Sequence, residues 1–421
     1  RRQSEQQQQE QCVPPQVRPE IKSPAGVSFM DLNYRFEKNL TFEEVVLAYF
    51  DCRKNKRSTH HAIAFEFDLE NNLKKLYEDL FGGAYKIGKG IAFVVEQPKT
   101  REIWAATFRD RIVHHVIYNR LNQIFYPRFI RNSFACISER GTLDGSNRLM
   151  SGMRSITLNW SRPAYYLGAD IRNFFVSIDK PTLNSLIVHR LRPPHDESWF
   201  ICLIQQVLFH DPKTNCFFKS SPQAFARVPK NKSLLNSPPG VGLPIGNLTS
   251  QFFANVYLNE LDQFVKHELR CKYYYRYVDD LIMLDQNPKV LNNYYYRCSE
   301  FAQKKLKVEF HPYKKRLGLV DQGVDFVGFV HKPYRRYLRT RTMNKARSVL
   351  ENWVLSPNKF NPSTFEQFKH SADSYYGLMK WAATYHFRQS LGDYIIQSYL
   401  EKSCLRQKST LPLPSAALPQ E

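Results

Sequence analysis

The 421-residue sequence is short of several features that would decide its class at once. No apolar run approaches the ~18 residues of a membrane-spanning helix, and no secretory apolar core is seen near the N-terminus. The eight cysteines (Cys12, Cys52, Cys136, Cys202, Cys216, Cys271, Cys298 and Cys404) form no CxxC pair, which excludes a zinc ribbon and argues against a disulfide framework. They read as idle thiols of a reducing cytoplasm. Acid is scarce: 39 Asp and Glu stand against 60 Lys and Arg, a net charge of +21 whose field attracts polyanions over long range. There is no internal repeat. The 43% apolar content is enough for two or three packed subdomains.

What is present is sharper. In Tyr273-Tyr-Tyr-Arg-Tyr-Val-Asp279-Asp280-Leu-Ile-Met-Leu284, two adjacent carboxylates sit between an aromatic and an aliphatic run. A β-hairpin would bury both flanks in a sheet and present the acids at its tip, where divalent cations relieve their repulsion. A solvated turn would use the same residues without chemistry. A second segment, Tyr165-Tyr-Leu-Gly-Ala-Asp170, runs apolar into a single acid, and Pro181 follows in the first turn of an expected helix. Asp179, just before that helix, reads as its cap. Asp170 and the Asp279/Asp280 pair can share ions only if their strands neighbour each other in one sheet. Two-metal phosphoryl transfer needs that arrangement, with ions roughly 3.5–4 Å apart.

These residues carry a family resemblance. Tyr277-Val-Asp-Asp280 resembles the signature of reverse transcriptases, with Asp170 in their first catalytic block and Gly242-Leu-Pro-Ile-Gly-Asn-Leu-Thr-Ser-Gln251 in the block that shapes the nucleotide pocket. Lys99-Thr-Arg-Glu-Ile-Trp-Ala-Ala-Thr-Phe-Arg-Asp-Arg-Ile-Val-His-His115 is similar to their fingers block. Within the family, three stretches resemble the enzymes of diversity-generating retroelements, bacterial and phage systems that copy a template RNA mutagenically: Arg101 to His115, Phe129 to Cys136 with Gly141-Thr142, and Lys232 to Gln251. The pocket block has Ile245 and Gln251 where the retroviral form has a glutamine-glycine start and a serine-proline finish.

The resemblance implies an α+β right-hand polymerase. It predicts a flexible segment over 1–26, fingers over 27–110, palm over 111–180, fingers and a long loop over 181–243, palm over 244–330, a small helical thumb over 331–402, and a tail over 403–421. Periodicity supports helices near 41–53, 68–80 and 108–125, strands at 91–95, 305–310 and 325–330, and a capping box at Ser363 to Glu366, with helix continuing through Tyr399. Residues 211–240 read as an ordered loop.

The implied metal set, for two Mg²⁺ ions, is Asp170, Ile171, Asp279 and Asp280. Lys99, Arg101, Phe175, Ile245, Gly246 and Gln251 would meet the nucleotide, Phe175 by excluding a 2′-hydroxyl. Lys314 or Lys315 would act as general acid, and Phe326, Gly328, Arg335, Arg336 and Arg339 would contact primer and template. Arg109, Asp110 and Arg111 read as a salt-bridged helix start, and His114 and His115 as structural histidines. The expected activity is RNA-directed DNA polymerisation, adenine-mutagenic, with template RNA, cDNA primer, dNTPs and a small basic accessory variability determinant as partners, in a bacterial or phage-infected cytoplasm. Other bacterial reverse transcriptases (group II intron, retron or phage-defence types) and a non-catalytic RNA-binding protein of the same fold are the alternatives.

Overall fold

The computed structural model describes residues 39–54, 59–97, 99–191, 198–355, 361–389 and 392. The expected flexible lead, the C-terminal tail and the helix expected to run to Tyr399 lie outside the described residues or run beyond them. Three helices come first: α1 (Phe42–Arg53), α2 (His60–Glu66) and α3 (Leu69–Gly82). The hairpin β1 (Gly90–Val95) and β2 (Arg101–Ala105) leads into α4 (Phe108–Phe125) and α5 (Thr142–Ile156). Strand β3 (Tyr165–Asp170) passes through the single turn α6 (Phe174–Ser177) to α7 (Lys180–Leu191) and α8 (Ser198–Phe209). A short strand β4 (Cys216–Phe218) and the short helix α9 (Pro222–Ala226) precede the central helix α10 (Leu248–Gln263). Hairpin β5 (Tyr273–Tyr277) and β6 (Asp280–Asp285), helix α11 (Pro288–Leu306) and strands β7 (Arg316–Leu319), β8 (Val324–Phe326), β9 (Phe329–Lys332) and β10 (Arg335–Leu338) follow. Helices α12 (Thr340–Leu355) and α13 (Pro362–Met379) complete the described elements.

Both acid-bearing segments share one four-stranded antiparallel sheet in the order β5-β6-β3-β7. Its strands alternate at period two and bury both faces. Leu281 and Met283 join the core made with α10 and α11, while Ile282 and Leu284 join the one made with α5 and β8. Helix α10 is enclosed almost all round, burying Phe252, Phe253, Val256, Tyr257, Leu258 and Leu261 together with the polar Asn255, Asn259 and Asp262. Removing each of the apolar side chains from water contributes about 1.5–3 kcal/mol. Where α5 crosses β5, a Cβ on Gly152 would stand 1.7 Å from the Tyr275 hydroxyl, so only glycine permits that approach.

Local chemistry sets the helix starts. Thr41 and Glu44 close a reciprocal capping box on α1, and Thr107 accepts from the Asp110 amide at 3.1 Å to start α4. Asp179 caps α7, accepting from the Thr182 amide at 3.0 Å, as its position ahead of Pro181 led one to expect. For α13 the cap is Asn361, which accepts from the Ser363 amide at 3.0 Å; the Ser363 to Glu366 spacing imitates a capping box already inside the helix.

Three other expectations need correction. The strand expected at 305–310 is the end of α11, broken by Lys307 at φ 52°, after which only Phe310 forms an isolated bridge, to Ile171. The strand expected at 325–330 is two strands, β8 and β9, and the hairpin that the resemblance gives to Phe326–Phe329 turns between them at Val327 (φ 46°) and Gly328 (φ 93°). The supposed loop 211–240 contains β4, which pairs in parallel with β1, and α9. Helices α12 and α13 pack on each other through Trp353, stacked on Phe368 at 4.2 Å, and form the small helical thumb of a right-hand α+β architecture.

Candidate active site

The register of the central sheet sets Asp170 on β3 directly opposite Asp280 on β6. Asp279 occupies the two-residue turn before β6, and its carbonyl accepts from the Ile171 amide at 3.1 Å. The turn needs a positive φ, and Val278, a β-branched residue, holds one at 54°. Its carbonyl is secured by Arg276 Nη1 at 3.1 Å. Arg276 is fully buried on β5 and grips both oxygens of the equally buried Asp262 of α10 at 2.7–3.0 Å. Tyr274 adds a hydroxyl to Asp262 at 2.8 Å, and Asn255 takes the remaining guanidinium bond at 3.2 Å. A satisfied buried network thus fixes the carboxylate-bearing turn to the central helix.

Electrostatics at the turn are unfavourable without a cation. Burial pushes Asp279 up to about 6, with Asp170 adding to the effect. Burial, then Asp279 and Asp170, push Asp280 up to about 7. Lys314 reaches Asp170 Oδ1 at 2.8 Å, setting an ammonium against that carboxylate. With Asp170 drawn onto that lysine, no three His, Cys, Asp or Glu side chains among the described residues are gathered into a ready ligand set. Crowded carboxylates on adjacent strands are nevertheless the donor set that hard divalent cations neutralise, and Ile171, with a fully buried side chain, has only its carbonyl to add.

A cleft of about 1110 Å³ opens over these acids and gathers most of the residues expected at the nucleotide. Lys99 and Arg101 line it from the β1–β2 hairpin, Phe175 and Ile245 from the floor, and Arg339 from the approach to α12. Phe174, its neighbour in sequence, is 2% exposed and belongs chiefly to the core, leaving the Phe175 ring to the cleft. Arg339 is bound to Asp325 at 2.5 Å.

Other expected residues have different work. Gly246 (φ +125°) permits close approach to β2 rather than to a ligand: a Cβ there would meet Ile103 at 2.9 Å, and the Ile245 carbonyl accepts from the Trp104 amide at 2.7 Å. Gln251 is exposed on α10 and does not line the cleft. Lys315 lies over the rings of Tyr295 and Tyr296 at 4.4 and 4.6 Å, away from the acids that Lys314 meets. Phe326 is fully buried against Phe134, with ring centroids 6.4 Å apart, so it supports the β8–β9 hairpin instead of presenting to a primer. Gly328 forms the open tip of that hairpin, Arg335 is exposed, and Arg336 donates to Ser146 at 2.7 Å.

Residues near the fingers block behave as structure. Arg109 pairs with Asp79 at 2.6 Å, and Asp110 is buried, accepting from Tyr85, Gly88 and Thr107. His114 lies buried against Thr249, where burial holds it down at about 3. Sequence reading missed Lys232, Arg316 and Asp325, which line the cleft, and placed Arg341, which lines it too, only within a basic run from Lys332 to Arg347 expected to track a nucleic-acid backbone. The signal for Lys232 was its place inside the retroelement-like stretch.

No helix among the described residues is long and apolar enough to cross a membrane. In comparison with known proteins, the family described as reverse transcriptase (RNA-dependent DNA polymerase) matches residues 95–331, more than half of the chain. No curated protein matches it in sequence. Among solved structures it is similar to apo telomerase from Candida tropicalis truncated from its C-terminal domain (12% identity, TM-score 0.43, covering 63% of this chain and 59% of that one). It is also similar to telomerase from Candida albicans in complex with a fragment of telomeric RNA (10% identity, TM-score 0.41, 75% and 59%). A further apo telomerase from Candida tropicalis gives 12% identity, a TM-score of 0.43, and coverage of 74% and 62%. The chain thus spans less than two thirds of each of these telomerase chains.

Proposed function

Because the chain belongs to the reverse transcriptase family, whose members are RNA-directed DNA polymerases, we propose that it copies RNA into DNA at the cleft over Asp170, Asp279 and Asp280, as the polymerase of a diversity-generating retroelement. The observation that carries the reading is the antiparallel pairing of Asp170 with Asp280 beside the Asp279 turn. Two Mg²⁺ ions held by these acids and the Ile171 carbonyl would activate the primer 3′-hydroxyl and neutralise the triphosphate.

The chain's own residues do the rest. Arg101 and Lys99 bind and orient the phosphates, the guanidinium in bidentate fashion. The Phe175 ring occupies the space a ribose 2′-hydroxyl would need. Lys314, beside Asp170, gives its proton to the departing pyrophosphate oxygen. The exposed bases between Lys332 and Arg347 track the primer or template backbone. Ile245, β-branched and without an amide, cannot hydrogen-bond as glutamine would, and this supports a pocket that checks pairing loosely. The retroelement assignment rests on that block and on the other two stretches. It brings with it a template RNA and the basic accessory variability determinant.

Primer extension on an RNA template tests the reading. Wild type should extend in Mg²⁺. Asp279→Ala should lose at least about 10³-fold in rate, a large part of what metal and electrostatic stabilisation supplies, while retaining RNA binding. Equal extension by the two proteins would remove the polymerase assignment.

A further inference from the structure

The segment between α9 and α10 does more than connect them. Strand β2 alternates: Arg101 faces the cleft, and the next residue, Glu102, turns inward and is 3% exposed. Both oxygens of the Glu102 carboxylate are used, on the Ser233 side chain, the Leu234 backbone amide and the Trp104 indole. The Ser233 hydroxyl donates to Oε1, the Leu234 amide to Oε2 at 2.9 Å and the Trp104 indole to Oε2 at 3.2 Å. Leu234 and Phe225 pack beside Trp104 and Ala92 beneath the same sheet. A buried carboxylate satisfied this fully is an anchor, since cutting it loose would strand a charge out of water.

The anchor fixes the residue just before Ser233. Lys232 is exposed and lines the cleft with Lys99 and Arg101, and it forms no ion pair with a carboxylate among the described residues. Lys99 is lowered first by burial and then by Lys314, Arg101, Lys232 and Arg341. Lys99, Arg101, Lys232, Lys314 and Arg341 line the cleft together, and while Lys314 is paired with Asp170, no ion pair among the described residues neutralises the other four, which leaves the cluster open to anionic charge from a ligand. A nucleoside triphosphate supplies it.

We propose that Lys232 is a third phosphate-binding residue of the nucleotide site, delivered to the cleft by the clamp of Glu102 on the Ser233 hydroxyl and the Leu234 amide. The inference rests on the polymerase reading and deepens it. Glu102 acts as a positioning residue: it touches no substrate and works through the segment it holds.

Steady-state extension at saturating primer–template should show Lys232→Ala raising the KM for dNTP about tenfold, the loss of one charge-assisted contact, with Lys232→Arg recovering most of it. Inorganic tripolyphosphate, used as a competitive probe, should lose affinity by the same factor. Glu102→Gln should reproduce the KM rise with Lys232 still in the chain, and its melting temperature reports whether the fold survives. An unchanged dNTP KM, or an increase confined to the KM for primer–template, would overturn the proposal. Calorimetric binding of tripolyphosphate to wild type and Lys232→Ala decides the matter separately from catalysis. An inactive wild type would therefore sink the polymerase reading alone, and equal affinities would sink this one.

Discussion

Arg276 Nη1 donates to the Val278 carbonyl at 3.1 Å, joining a fully buried guanidinium to the one β-branched residue that the carboxylate turn holds at positive φ. The same arginine is gripped by Asp262, so the strained turn is held from α10. Asp262→Ala should destabilise the protein by about 3–5 kcal/mol, because it leaves a buried cation without its partner. Urea unfolding measures this, and a change below ~1 kcal/mol would show that the network is dispensable.

Stability should depend on pH through Asp279 and Asp280. Folded, these groups hold protons up to about 6 and about 7. An unfolded chain releases them near pH 4, so this contribution is full at low pH and is lost as pH rises through 7. Asp280→Asn should raise the Tm at pH 8 in chelator by a few degrees, at roughly 2 °C per kcal/mol relieved in a chain of this size, and the gain should shrink as pH falls toward 4. Mg²⁺ should stabilise wild type more than the variant. A difference independent of pH and metal would contradict the electrostatic account.

Discrimination against ribonucleotides should reside in Phe175, which lines the cleft while Phe174 fills the core. Phe175→Ala should cut the ratio of kcat/KM for dNTP over rNTP by about 10- to 100-fold, as expected when a steric block of ~1–3 kcal/mol is removed. Competition between the two nucleotides on one template reads it directly.

Fidelity should respond to Ile245. Sequencing cDNA made by Ile245→Gln should show misincorporation opposite template adenine falling several-fold, while the rates at other bases change less. An unchanged adenine error rate would separate Ile245 from mutagenesis.

The acids could be read before the structure because a carboxylate between two apolar strands is a conflict that composition alone exposes. Asp170, Asp279 and Asp280 do meet in one sheet, and Phe175, Lys99, Arg101 and Ile245 do share their cleft. What failed was whatever depends on which way a residue turns. Lys314 and Lys315 are adjacent, yet one meets Asp170 and the other two tyrosine rings. Gly246 sits in the pocket block, but its freedom serves packing on β2. Phe326 stands in the hairpin that the resemblance gave and periodicity took for a single strand, but its ring turns into the core against Phe134. The loop at 211–240 hid β4 since three residues are too few to show a period.

A strand of period two cannot shift one of its faces without the other. Arg101 and Glu102 are consecutive on β2, and β2 is laced to β1 and through it to β4. Under the proposed reading, a movement of β2 toward a bound nucleotide would therefore carry the Arg101 guanidinium and, through Glu102, the Ser233–Leu234 segment together. Closure and charge delivery would then be a single event, Arg101 and Lys232 arriving at the phosphates together.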